Sequence, residues 1–175
     1  MTPPLNYGRV GIFIDGENIK NTLGDAGWKI SYQRLLEWIA QKTKCSITKP
    51  FFYTKEEKIS TGAKKTFVEH IRALEMHIIS IPITQKIINE TLTNICDADP
   101  QIITDMMDWK NEFDKVVLIS GDGAFEAPLE RLWQHGKKVY VISTNNYVSN
   151  QRLRNNPNFT FTDLNDIRNL TELIL

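Results

Sequence analysis

The sequence predicts an α/β protein in which a mostly parallel sheet lies between two layers of helices. Three observations carry that prediction. Short apolar runs alternate with segments of helical periodicity along the whole chain. The connections between them are short, as crossovers between neighbouring parallel strands are. No repeat, low-complexity tract or long linker divides the 175 residues, so 1–175 are expected to form a single domain.

The elements follow in order. Residues 9–15 (RVGIFID) are short and rich in Val, Ile and Phe, which favours a buried strand over a helix. Gly16, Gly24 and Gly27 punctuate 16–29, consistent with a short helix and a loop. Tyr32, Leu35, Leu36 and Ile39 recur at helical spacing behind Ser31, the expected N-cap. Residues 46–55 read as one strand with Pro50 near its start, where a missing N–H does least harm. Phe67, Ile71 and Leu74 mark a helix entered from Ser60, and 76–84 read as another strand. Residues 86–93 fit either a short edge strand or one arm of a hairpin. Asp99-Pro100 reads as an N-cap followed by proline at the first helical position, opening a helix to about Lys110. Residues 115–120 (KVVLIS) are the clearest buried strand. They pass through Gly121-Asp122-Gly123 into a helix carrying Phe125, Leu129, Leu132 and Trp133, closed by Gly136. A strand at 137–143 follows, then one or two short helices around a brief FTF strand.

Lys plus Arg and Asp plus Glu are each 21, so the formal net charge is zero. That excludes a uniformly basic nucleic-acid coat and leaves room for a local basic patch. No apolar run is long enough to span a bilayer, and the first ten residues lack an apolar segment after a basic start. Cys45 and Cys96 lie far apart without CxxC spacing, which argues against a thiolate zinc site and for a reducing compartment. A cytoplasmic protein without a membrane partner is the expectation.

Two predicted strands end in an acid next to glycine: Asp15 before Gly16, and Asp122 within Gly121-Asp122-Gly123. Ligands of open α/β sheets gather at the carboxyl ends of strands. Either aspartate alone fits a turn or cap. Together they place carboxylates on one edge of the sheet, where repulsion calls for a cation or a proton. An oxygen-only donor set suits Mg²⁺ or Mn²⁺ better than zinc. Asp97, Asp99 and Asp105 add acids before and within the middle helix. Asp99 is expected to cap that helix, and Asp105 falls at the border of the Ile102, Ile103, Met106 stripe. His70, His77 and His135 show no ligand spacing, and neither GxGxxG, GxxxxGK[ST] nor GxSxG occurs. Glu17 stands where an aspartyl-nucleophile phosphatase carries its second aspartate, which weakens that alternative.

The segments VGIFIDGENI (10–19), DADPQIITDMM (97–107) and VVLISGDGAFEAPLERLWQHGKKVYVI (116–142), in this order and spacing, resemble the NYN domain family. These are LabA-like members of the PIN-like nuclease superfamily. The likeness runs from about residue 8 to about residue 168 and includes the ending VSNQRLRNNPNFTFTDLNDI. It implies a Rossmann-like three-layer α/β/α sandwich with an acidic metal site, and metal-dependent ribonuclease activity for many relatives. Carried over, Asp15 and Asn18 match the first motif, Asp99 and Asp105 the acids of the middle helix, and Asp122 the acid of SGD. The family commonly reads SGD-x-D-F, whereas this chain has Ala124 at the second acid; Glu126 is the next acid along.

Asp15, Asp99 and Asp122 are therefore the expected ligands of Mg²⁺ or Mn²⁺, with Asn18 and Asp105 completing the expected catalytic set. Ser120 is a candidate phosphate contact, and Lys20, Lys55 and Arg152 are candidates for holding RNA. Lys58, Lys64, Lys65, Arg72 and Arg154 are further basic candidates, while Phe51, Phe52 and Tyr53 are expected in the strand core. The leading expectation is a metal-dependent ribonuclease. Ala124 and the zero net charge motivate a second: a weakened module binding RNA, a nucleotide or a protein. A phosphohydrolase for small esters is the third. PIN-like neighbours often pair, which makes a homodimer one expected state.

Overall fold

The structure, a computed structural model, describes residues 8–48, 50–56, 63–88, 90–144 and 150–173. Nine strands are found among them: β1 (Arg9–Asp15), β2 (Ser46–Ile47), β3 (Phe51–Lys55), β4 (His77–Ile81), β5 (Thr84–Ile88), β6 (Thr91–Ile95), β7 (Lys115–Ile119), β8 (Lys138–Ser143) and β9 (Phe159–Asp163). The helices are α1 (Gly16–Ala26), α2 (Tyr32–Thr43), α3 (Ala63–Ala73), α4 (Asp99–Asp108), α5 (Glu126–Gln134), α6 (Gln151–Asn155) and α7 (Arg168–Thr171). The main sheet has the order β4-β3-β1-β7-β8-β9, every neighbouring pair parallel, with β2 pairing on β1.

Its two faces hold separate cores, as a sheet covered on both sides must. On one, Ile12 and Ile14 of β1 pack with Ile19, Leu23, Leu35, Ile39 and Ile71 from α1, α2 and α3. On the other, Phe13 packs with Ile102, Met106, Leu129, Leu132 and Leu153 from α4, α5 and α6. Phe51, Phe52 and Tyr53 are all buried, so the expected strand core stands. The predicted three-layer α/β architecture is the observed one.

Local details depart from the sequence pattern in three places. Residues 46–55 are two strands, because the chain leaves β1's edge after Ile47 and rejoins it at Phe51, with Pro50 before β3 rather than inside it. Residues 86–93 straddle a hairpin: β5 and β6 pair antiparallel in a sheet of their own, Ile87 facing Leu92 with both exposed. Asp99 is not the N-cap of α4. It is the first helical residue; Ala98 holds the cap position, and Asp97 Oδ1 accepts the Asp99 N–H at 3.2 Å. Asp97 competes for the turn from two residues upstream, a short-range bond that aspartate forms readily. By contrast Ser31 caps α2 as expected, its hydroxyl accepting from Arg34 N at 3.4 Å. The Ser60 end of the predicted third helix lies outside the described residues.

From β1 the chain runs outward to β3 and β4 on one side and, later, to β7, β8 and β9 on the other. The crevice between the carboxyl ends of β1 and β7 is thus the topological switch point, where open α/β sheets bind ligands.

Candidate functional site

Asp15 ends β1 and Ser120-Gly121-Asp122 follow β7, so both acidic motifs reach this crevice. Asp15 is buried and uses both carboxylate oxygens. Oδ1 accepts from Asn18 N at 3.1 Å, capping α1, and Oδ2 accepts from Ser120 Oγ at 3.1 Å. The Gly121 N–H donates to Asn18 Oδ1 at 3.0 Å, a second bridge between the two motifs. Asp122 Oδ1 accepts from Ala124 N at 2.8 Å, opening a single 3₁₀ turn at Gly123–Phe125. The sequence motifs are therefore both caps and neighbours: each aspartate starts a helical turn, and the turns interlock.

Gly121 has no room for a side chain. A Cβ there would stand 2.6 Å from Ser143 Oγ, so the β7 turn packs directly on the end of β8. Behind it Ser143 Oγ, Thr144 Oγ1 and Asn150 Oδ1 are enclosed without a hydrogen-bond partner among the described residues, while the Asn150 amide donates to Thr144 O.

Asp99 is half-buried, and its charge is opposed by burial and by Asp122, Asp15 and Asp97, which together push its pKa up to about 7. Burial likewise raises Asp15, with Asp122 and Glu17 adding to the shift against the bonds from Asn18 and Ser120. Three elements thus bring Asp15, Asp99 and Asp122 within electrostatic reach of one another. Among the described residues no group of three or more His, Cys, Asp or Glu side chains is arranged to hold one ion. Mg²⁺ commonly binds through one or two carboxylates and completes its shell with water and substrate phosphate, so the donor set fits a hydrated divalent cation.

A pH dependence follows. Asp99 goes from an ordinary pKa of 3.8 when unfolded to about 7 when folded, so the folded chain takes up the extra proton. Its contribution to stability is full below about pH 4 and lost as pH rises through 7. Because Asp99 is half-exposed, the screened effect is about 1–2 kcal/mol. Urea unfolding with chelator present is expected to show greater stability at pH 5 than at pH 8, and Asp99→Asn is expected to flatten that difference.

Asp105 lies elsewhere in the arrangement: its Oδ2 accepts from Tyr53 OH and its Oδ1 from Gln101 Nε2, both at 2.8 Å. Lys20 is exposed on α1. Lys55 Nζ stands 3.7 Å from Glu17 Oε2, whose other oxygen accepts from Thr54 Oγ1 at 3.2 Å. Arg152 NH1 stands 3.9 Å from Glu126 Oε2. Arg72 sits in the last turn of α3, which leads into the amino end of β4, the far edge from the acids. Lys58 and the side chains of Lys64 and Lys65 lie outside the described residues. Glu17, Tyr53 and Gln101 are the neighbours that sequence reasoning did not place at the site. Only Glu17 carried a signal, as an acid two residues after Asp15.

An open parallel sheet with carboxylates at its switch point, and no glycine-rich phosphate loop in the sequence, defines an α/β/α protein with an acidic crevice. The chain belongs to the NYN domain family, whose model matches residues 9–165. It is 28% identical over 166 residues to the Low amplitude and bright protein LabA of Synechococcus elongatus, a match covering 94% of this chain and 88% of that protein. A crystal structure of a Vibrio parahaemolyticus protein of unknown function shares the fold. Its TM-score is 0.76 at 21% identity, covering 99% of this chain and all of that one. No helix among the described residues is long and apolar enough to cross a membrane.

Proposed function

We propose that the chain is a metal-dependent ribonuclease that hydrolyses RNA phosphodiesters at this crevice, with hydrated Mg²⁺ or Mn²⁺ held among Asp15, Asp99 and Asp122. The observation that supports it most is that three carboxylates from separate elements stand within electrostatic reach of one another, at a cost in repulsion that a bound cation relieves. When bound, a divalent cation offsets charge on the phosphate oxygens and makes water a better nucleophile. The chain's own part is orientation. Ser120 and the Asn18 N–H fix the Asp15 carboxylate in one rotamer, and the Ala124 N–H does the same for Asp122. Lys20, Lys55 and Arg152 attract the RNA backbone across the acids. Lys55 and Arg152 are held loosely enough by Glu17 and Glu126 to exchange those partners for phosphate. On this reading the protein works in the cytoplasm and pairs as a homodimer.

A labelled single-stranded RNA incubated with the chain and Mn²⁺ is expected to be cleaved, and chelation is expected to abolish cleavage. Turnover of a generic aryl phosphate with indifference to RNA would support the phosphohydrolase instead. A second reading, a weakened module that binds RNA without cutting it, is favoured by Ala124. That residue is exposed beside Asp122 and supplies no carboxylate. RNA binding without cleavage, and without uptake of millimolar Mn²⁺, would establish it.

A further inference from the structure

Asp105 and Asp99 share α4 but not a face of it. Six residues separate them, which is about 9 Å along the helix axis and about 120° around it. Asp105 thus stands on a different side of α4 from Asp99, against β3. Its two oxygens are instead engaged by neutral donors, one from β3 and one from its own helix. The β3 donor is Tyr53, fully buried and the direct register partner of Asp15 in the sheet. Burial and the Asp105 carboxylate together hold the Tyr53 hydroxyl well above its ordinary pKa, so it stays a donor. Apolar packing under Ile102 and Met106 resists separation of α4 from the sheet. Apolar attraction by itself is not directional. The Tyr53–Asp105 bond supplies that direction.

We propose that Asp105 is a positioning residue and not a cation ligand: steadied by Gln101 on its own helix, it pins α4 to β3 through Tyr53 and sets where Asp99 stands over the crevice. This rests on the metal-dependent reading above, and it departs from the place in the catalytic set that the family likeness gives the second acid of the helix.

Mn²⁺ calorimetry on the full chain tests it. Asp99→Asn is expected to weaken binding at least about tenfold. Asp105→Asn keeps an oxygen for the Tyr53 hydroxyl and is expected to stay within about threefold of the unaltered chain. Tyr53→Phe and Asp105→Ala are each expected to weaken binding about three- to tenfold, and the double variant no further than Asp105→Ala, because both remove one strut. A loss in Asp105→Asn as large as in Asp99→Asn would make Asp105 a ligand and overturn the proposal. Unchanged Mn²⁺ affinity in both Tyr53→Phe and Asp105→Ala, whatever their melting temperatures, would reduce the bond to a structural one and overturn it equally. Amide hydrogen exchange without metal separates these outcomes from failure of the metal reading. Tyr53→Phe is expected to lower protection over 102–108 several-fold while leaving 115–119 as it was. Unchanged protection there would sink the proposal even if the unaltered chain takes up no Mn²⁺.

Discussion

Asp15→Asn and Asp122→Asn are each expected to slow Mn²⁺-dependent cleavage of single-stranded RNA by at least about 100-fold, about 2.7 kcal/mol on the barrier. The fold is expected to survive both. Asparagine caps a helix about as well as aspartate, so its side-chain oxygen still accepts the Asn18 N–H at position 15 and the Ala124 N–H at position 122. The Ser120 hydroxyl, which donates to Asp15 Oδ2, can turn to accept from an amide there. What each variant removes is one negative charge from a crevice where the carboxylates already repel. Without metal, then, both variants should melt at or above the temperature of the unaltered chain at pH 8. Added Mn²⁺ should raise the melting temperature of the unaltered chain more than theirs, since an ion that binds only the folded state stabilises it. Initial rates and melting curves with and without chelator read both effects. Cleavage by either variant as fast as by the unaltered chain would remove these aspartates from the reaction.

The second large effect is expected from Ala124→Asp. Ala124 is exposed in the 3₁₀ turn that Asp122 opens, so a carboxylate there displaces nothing from the core. It would also restore the acid that the NYN resemblance leads one to expect. The added charge should tighten Mn²⁺ binding and raise RNA cleavage about tenfold, about 1.4 kcal/mol. Metal-free stability should fall, because a further carboxylate joins Asp122 and Asp99 at one edge. A variant with the same circular dichroism and neither gain would place position 124 outside the site. Full activity in the unaltered chain, with no gain in the variant, would show that this domain works without the second acid.

Much of this architecture was legible because its cause is local. Buried parallel strands announce themselves as short Val- and Ile-rich runs, as KVVLIS and RVGIFID do, with Asp15 ending one and Asp122 two residues past the other to mark the crevice. The β5–β6 hairpin was ambiguous since its strands alternate weakly and leave Ile87 and Leu92 in solvent. The N-cap of α4 was misplaced for a reason of one kind: two aspartates two residues apart compete for the same turn, and spacing does not say which wins. The bonds that assemble the site were out of reach. Ser120 meets Asp15 across 105 residues and Tyr53 meets Asp105 across 52, and neither pairing leaves a periodic trace. Asp105 looked like one more site acid because residue type is visible in a sequence and orientation is not.

The place of β1 in the sheet also has a consequence for synthesis. Its partner β3 lies within the first 55 residues, whereas its partner β7 begins at Lys115. A chain emerging from the ribosome can pair β1 with β3 and then β3 with β4 while the other edge of β1 stays bare. The apolar stretch 10–14 then waits for some sixty further residues before Val116–Ile119 arrives to cover it. Such a nascent intermediate exposes one unpaired edge of its central strand, the kind of edge that recruits chaperones or a neighbouring chain. The same delay brings Asp15 and Asp122 together late, so the mutual repulsion of the carboxylates is met only when most of the sheet is already there to bear it.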